Sequence, residues 1–143
     1  MERKKIGGGI IAIDIQTGDV LLGRRSYNSS FPNTWSFFGG TFEVSDGNPK
    51  ITAKREFIEE TGSEDNFKIS SEPFYVNRDN HLDFYTYIGL FDGKFPVKLI
   101  PEESLGYCWC PIYNIPENLL PGVREMLDEK FNELVEIIEN CKK

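Results

Sequence analysis

The sequence predicts an α/β fold that combines short strands with two helices. Three observations predict it: apolar runs separated by turn residues, one helix punctuated at both ends, and an apolar stripe of helical period near the C-terminal end. With 143 residues the chain suits a single domain over 1–143, because a domain of roughly 150 residues buries about 70% of its unfolded surface. No internal repeat, low-complexity tract or linker divides it.

Each element has a local cause. Ile10 to Ile13 form an apolar run ending at Asp14, and Val20-Leu21-Leu22 form another after the turn residues Gln16-Thr17-Gly18-Asp19, which reads as strand, turn, strand. Gly7-Gly8-Gly9 precede the first run. No Gly-Lys-Ser/Thr follows them and the next residues are strand-like, so they are not read as a phosphate-cradling loop. Ser26 to Asn33 is a polar loop with Phe31-Pro32 in its middle, leading to Trp35-Ser36-Phe37-Phe38.

The best-punctuated helix starts at Asn48-Pro49, a favoured N-cap followed by a proline tolerated in the first turn. Gly62 ends it, as glycine commonly does just past a helix. His81 to Leu90 and Tyr107 to Ile112 are rich in aromatic and branched residues and read as strands. From Pro121, Val123, Leu127, Leu134, Ile138 and Cys141 recur at helical spacing and form one stripe for core packing.

Composition narrows the function. The hydrophobic fraction of 39% and charged fraction of 27% are those of a globular chain. No apolar run approaches the roughly 20 residues needed to cross a bilayer, and the basic start Arg3-Lys4-Lys5 leads into glycines instead of a signal-peptide core. A cytoplasmic protein without a membrane partner is expected. The net charge of −7 argues against duplex nucleic acid as a partner. It leaves room for a small anionic substrate, since screening removes distant charges beyond about 8 Å. His81 is the only histidine, so a zinc site built on several imidazoles is excluded, and His81 itself reads as a strand-end or loop residue. Cys108 and Cys110 flank Trp109 on one strand face and, with Cys141, make an odd number of ordinary packing thiols.

The chemistry concentrates on the first helix. At about 100° per residue, Glu56, Glu59 and Glu60 share one face, while Ile51 and Ile58 lie on the opposite side. Such a face is otherwise a solvated surface. Here the like charges repel by roughly 0.2–0.5 kcal/mol per pair, a cost that a bound cation would remove. Gly39 and Gly40 precede an acidic loop with Glu43 and Asp46, and glycine lets a backbone carbonyl approach a metal without a side chain in the way. Carboxylates beside a carbonyl suit a hard cation such as magnesium, which takes oxygen ligands at about 2.0–2.1 Å.

The segment Gly40-Thr41-Phe42-Glu43-Val44-Ser45-Asp46, followed after eight residues by Arg55-Glu56-Phe57-Ile58-Glu59-Glu60-Thr61-Gly62, resembles the signature box of the Nudix hydrolases. That box reads Gly, five residues, Glu, seven residues, then Arg-Glu-apolar-x-Glu-Glu-x-Gly-apolar. Asp46 stands where the family usually has Glu, Ser63 where it has an aliphatic residue, and one residue is inserted between Asp46 and Arg55. Pro49 keeps the family's usual offset from the Arg, which places the insertion at Gly47-Asn48, ahead of the helix. The likeness extends to Leu21-Leu22-Gly23-Arg24-Arg25 and to Trp35 through Gly40.

The resemblance implies an α/β/α sandwich, with a mixed sheet between the box helix and the C-terminal helix. It implies magnesium-dependent hydrolysis, with manganese as a substitute, of a pyrophosphate linkage in a nucleoside triphosphate or nucleoside diphosphate derivative, by metal-activated water attack on phosphorus. Glu59 and Glu60 would be the main metal ligands, Glu56 a further ligand or the base, and Arg55 its orienting partner. The carbonyl of Gly39 or Gly40 would complete the set, and Glu102 or Glu103 would add a later acidic group. Arg24 or Arg25 would contact phosphate, and Trp35, Phe37, Tyr85 or Tyr87 would stack on a base. The quaternary state is read as monomer or homodimer. A hydrolase of GDP-mannose-type sugar nucleotides and a noncatalytic nucleotide sensor are the rival readings. The first tends to lack part of the glutamate cluster, the second Glu59 or Glu60, and all of these are present.

Overall fold

The computed structural model describes residues 4–142, so Arg3 of the basic start lies outside the described residues. Eight strands and two helices follow in the order β1 (Lys5–Asp14), β2 (Val20–Arg25), β3 (Trp35–Ser36), β4 (Phe38–Thr41), α1 (Pro49–Thr61), β5 (Lys68–Ile69), β6 (Tyr75–Arg78), β7 (Leu82–Phe91), β8 (Ser104–Cys110) and α2 (Pro121–Cys141). A 3₁₀ turn over Val44–Asp46 precedes α1, and another over Ile112–Asn114 follows β8. No helix among the described residues is long and apolar enough to cross a membrane.

The strands make one mixed sheet. β1 runs parallel to β7 along its whole length, from Lys5↔Leu82 to Asp14↔Phe91. Its other edge is divided: residues 7–10 pair antiparallel with β4, and Ile13 pairs with Val20 of β2. β2 then diverges and pairs with β3 and β8. Beyond β7, β6 and β5 cover its two halves in antiparallel register.

Alternation along the strands sends side chains to two cores. Ile10, Ala12, Leu21, Phe38, Tyr87 and Phe91 pack with Ala53 and Phe57 of α1. Ile11, Ile13, Val20, Leu22 and Ile88 pack with Val123, Met126, Leu127, Leu134 and Ile138 of α2. The expected α/β/α sandwich with a mixed central sheet is what forms, and the stripe read along α2 is its buried face.

Four elements differ from the sequence reading. β1 begins five residues before Ile10, because Gly7, Gly8 and Gly9 are strand residues. Glycine carries no strand signature, which conceals this half of the strand. β8 starts earlier than read, at Ser104, and ends before Ile112. β5 and β6 are two and four residues long, too short for an alternating pattern to declare itself.

Candidate active site

Local chemistry fixes α1 in place. Asn48 caps its first turn, the side-chain oxygen accepting from the Ile51 N–H at 3.0 Å, and Gly62 closes it in the left-handed conformation at φ 71°. The helix sits close to the sheet because Gly8 has no side chain: a Cβ there would lie 2.4 Å from the Pro49 carbonyl oxygen and 2.9 Å from the Ala53 nitrogen. The seated face carries Thr52, Ala53, Phe57 and Thr61, whereas Ile51, on the far side, is 44% exposed. Glu56 and Glu60 flank Ala53 and Phe57 in the helical rotation, so both are turned toward the sheet and partly buried.

Asp46 organises the cluster. Its buried carboxylate accepts from the Glu43 N–H at 2.9 Å and the Thr52 hydroxyl at 2.8 Å, and from Arg55 through Nε at 2.8 Å and Nη2 at 3.0 Å. These hydrogen bonds, led by Arg55, hold the Asp46 carboxyl far below the usual carboxylate range. The same guanidinium donates to Glu56 Oε1 at 3.0 Å, to Glu59 Oε2 at 3.2 Å and to the Thr41 carbonyl at 3.1 Å, and its own pKa rises chiefly through Asp46. Asp46 thus sets Arg55, and Arg55 sets Glu56. The inserted residue before the helix leaves this bidentate pair intact.

Glu60 lies deepest in the cluster. Burial first, then the charges of Glu56 and Glu103, push its carboxyl up to about 8, while the Gly39 backbone opposes the rise. Burial also raises Glu56, against the pull of Arg55. Without a cation, burial and mutual repulsion therefore favour the neutral form at this pair of carboxyls. Among the described residues no three acidic, histidine or cysteine side chains converge as a ready ion cage, because Arg55 reaches between Glu56 and the half-exposed Glu59. The donor set still fits a hard divalent cation. Its groups are all carboxylate oxygens, and it holds more negative charge than its arginine offsets. Gly40 leaves the room: a Cβ there would fall 2.5 Å from Glu56 Oε2.

On the α2 side of the sheet lies a cavity of about 600 Å³ that meets this cluster at the fork between β2 and β4. Glu60, Glu103, Arg24 and Arg25 line one part, and Phe84, Thr86, Asn77 and the first turn of α2 line the rest. Arg25 donates to the Ser30 carbonyl at 2.9 Å and the Ser30 hydroxyl at 3.0 Å, and Arg24 is anchored by the Asn33 side chain. Burial lowers the Arg25 pKa, and the charge of Glu60 works against that shift.

The structure therefore brings Arg24, Arg25, Gly40, Glu60 and Glu103 together in the lining of one cavity, with Glu56, Arg55 and Glu59 beside Glu60 in the cluster and outside that lining. Trp35 is not among the residues that line the cavity. It packs against the α2-side core and its backbone bridges to Leu119, so it stands apart from this group. Glu102 is exposed and does not line the cavity either. Phe31, Asn77 and Phe84 do line it, and sequence reading passed over all three in that role. Only an exposed phenylalanine in an otherwise polar loop signalled Phe31.

An α/β/α sandwich with a carboxylate helix opening onto a basic-walled cleft is the architecture of a phosphate-anhydride hydrolase. A family model described as the NUDIX domain matches residues 4–130, and the chain belongs to the Nudix family. It is a pyrophosphohydrolase of that type, acting on nucleotide derivatives. Among solved structures it is similar to RenU, a Nudix hydrolase from M. smegmatis, with TM-score 0.80, 16% identity and coverage of 96% of this chain and 89% of the other. It is also similar to a MutT protein from Methanosarcina mazei Go1, with TM-score 0.70, 24% identity and coverage of 93% and 97%. A third likeness is to a bifunctional NMN adenylyltransferase/ADP ribose pyrophosphatase from Francisella tularensis, complexed with AMP and a Mn ion. There the TM-score is 0.63, the identity 17% and the coverage 94% of this chain and 43% of that one. No curated protein matches the chain.

Proposed function

We propose that the chain hydrolyses the pyrophosphate linkage of a nucleoside triphosphate or a nucleoside diphosphate derivative, with magnesium or manganese as cofactor. The observation that carries this reading is Glu60, a partly buried carboxyl in the cavity lining whose pKa is raised by burial and by the charges of Glu56 and Glu103. Glu56, Glu59 and Glu60 would hold the ion together with the Gly40 carbonyl. When bound, that cation supplies charge neutralisation of the bridging phosphates and activation of water.

The chain's own residues do the rest. Arg24 and Arg25, in the same part of the cavity as Glu60, hold the terminal phosphates and orient the linkage toward Glu60. Glu56, with Oε1 taken up by Arg55, offers Oε2 to receive the proton of the attacking water. Asp46 keeps Arg55, and through it Glu56, in position. The products are a phosphate monoester and the remaining phosphorylated fragment. The AMP and Mn ion in the Francisella neighbour accord with this substrate class.

The test is a magnesium-dependent screen of nucleoside triphosphates, sugar nucleotides, dinucleotides and triphosphorylated RNA, run beside Glu60→Gln. Turnover of one class by the wild type and its loss by at least about 100-fold in Glu60→Gln support the reading. Equal signals from both proteins on every substrate overturn it in favour of a noncatalytic binding module.

A further inference from the structure

The geometry points to a stacking clamp for the nucleobase, made by Phe84 on the floor of the cavity and Phe31 at its mouth. This assignment rests on the proposed nucleotide substrate and names the residues that recognise its base.

Phe84 belongs to the α2 side of β7, and its ring occupies space that three glycines leave open. A Cβ at Gly7 would lie 2.6 Å from its Cδ2, one at Gly9 3.0 Å from Cε1, and one at Gly39 2.9 Å from Cζ. The ring therefore extends from β7 over β1 to β4, in contact with bare backbone. Three side-chain-free positions on two neighbouring strands are an expensive way to build a sheet, because glycine packs nothing and loses more entropy on folding than any other residue. Here they lay an aromatic ring along the cavity wall without closing the cavity. Phe84 lines the cavity and does not belong to either core.

Phe31 is placed with equal effort. It is 56% exposed, and its backbone is left-handed at φ 52°, a region that costs a bulky residue free energy. The loop nevertheless holds it there at several points. Arg25 binds Ser30, the Thr34 hydroxyl donates to the Phe31 carbonyl at 2.8 Å, and Asn33, itself left-handed at φ 65°, is bonded to Arg24, Arg25 and Asn118. A pinned, strained loop that keeps a large apolar ring in solvent at the rim of a cavity has no packing benefit of its own.

The occupant follows from what surrounds the rings. The same cavity carries Arg24, Arg25, Glu60 and Glu103, so a ligand there is anionic where it meets the arginines and presents a π-face to Phe31 and Phe84. A nucleobase attached through its sugar to a polyphosphate has that form. Stacking of a base on an aromatic side chain is worth about 1–3 kcal/mol, or roughly 5- to 150-fold.

The test uses Phe31→Trp as a reporter, titrated with ATP, GTP, CTP, UTP and inorganic tripolyphosphate. Saturable fluorescence quenching by at least one nucleotide, without quenching by tripolyphosphate, is expected, and adding Phe84→Ala weakens that affinity about tenfold. In kinetics, Phe31→Ala raises KM for the hydrolysed nucleotide about tenfold and changes kcat by less than threefold. Quenching that is absent for all four nucleotides, or that tripolyphosphate reproduces, overturns the clamp, as does an unchanged KM in Phe31→Ala. Quenching by a nucleotide, in a protein whose wild type hydrolyses none of the substrate classes screened above, supports the clamp while refuting the hydrolytic reading, so the two stand or fall separately.

Discussion

Replacing Gly40 by alanine tests the site at the atom where the sheet and the glutamates meet. The backbone at Gly40 is not left-handed, so alanine meets no conformational penalty there. The added methyl would lie 2.4 Å from Glu56 Cδ and 2.5 Å from Oε2, against an ordinary contact of 3.4 Å or more. The carboxylate must therefore retreat by about 1 Å, and it is the free end of a side chain, so the fold gives way there first. Overpacking that side-chain motion relieves should cost no more than about 1 kcal/mol, or roughly 2–4 °C in Tm for a chain of this size. A 1 Å displacement of a reacting group costs on the order of 100-fold in rate. We expect kcat/KM to fall by about that factor, with a near-native melting curve. Gly8→Ala is the control for the opposite case. Its methyl meets the backbone of Pro49 and Ala53 at 2.4 and 2.9 Å, so α1 must move and stability falls by about 1–3 kcal/mol. Steady-state kinetics and thermal melts on the two variants read both effects. A folded Gly40→Ala enzyme within threefold of wild-type kcat/KM would refute the argument that Glu56 at this position serves catalysis.

Asp46 has a depressed pKa in the folded chain, so its contribution is present above the unfolded value of about 3.9 and is lost as pH falls through that value toward the folded one. Wild-type stability in urea should decline below about pH 4, and the Asp46→Asn variant, less stable at pH 7, should show a shallower decline. A parallel pH dependence in both would contradict this. Phe57 is fully buried and its ring meets those of Phe38, Phe67, Phe91 and Phe95; Phe57→Ala should cost about 3–5 kcal/mol in urea unfolding. A loss below 1 kcal/mol would mean that the α1-side cluster is not the core described. Cys108 and Cys110 lie with sulfurs 3.5 Å apart, and burial pushes Cys110 up to about 12. Only about one thiol in 10⁴ is then ionised at pH 8, so iodoacetamide should label Cys110 far more slowly than it labels the unfolded chain. Equal labelling rates in native and denaturing buffer would exclude that environment.

What was legible in the sequence was the part written in local chemistry. Asn48, Pro49 and Gly62 mark the ends of α1, and helical rotation alone puts Glu56, Glu59 and Glu60 on one face. The stripe on α2 is equally direct, since its apolar residues recur at the period of the structure they form. What was hidden depends on contacts between distant segments. No local rule shows that Gly7, Gly9 and Gly39 make room for Phe84, because that residue arrives on a strand 77 positions later in register with Gly7. The buried face of α1 was obscure for a different reason. Its packing residues are two threonines, one alanine and one phenylalanine, and the carboxylates beside them remove the amphipathic contrast that a helix reading relies on.

That last observation joins fold to site. A helix meant only for packing would bury leucines where α1 carries Glu56 and Glu60, and the free energy forgone there is recovered by the aromatic cluster around Phe57 and by the bidentate pair of Asp46 and Arg55. Glycines do the complementary work on the sheet. Gly8 and Gly40 face α1 and let the helix and its carboxylates come close, whereas Gly7, Gly9 and Gly39 face the other way and seat Phe84. The strip of sheet between them is backbone alone, so the glutamate cluster on one side and the aromatic floor on the other are separated by the thickness of a single strand pair. A ligand with a polyphosphate at one end and an aromatic ring at the other can reach both through the fork between β2 and β4. For the proposed clamp it is this thinness, and not any one side chain, that would let residues from opposite faces of the sheet act on one molecule.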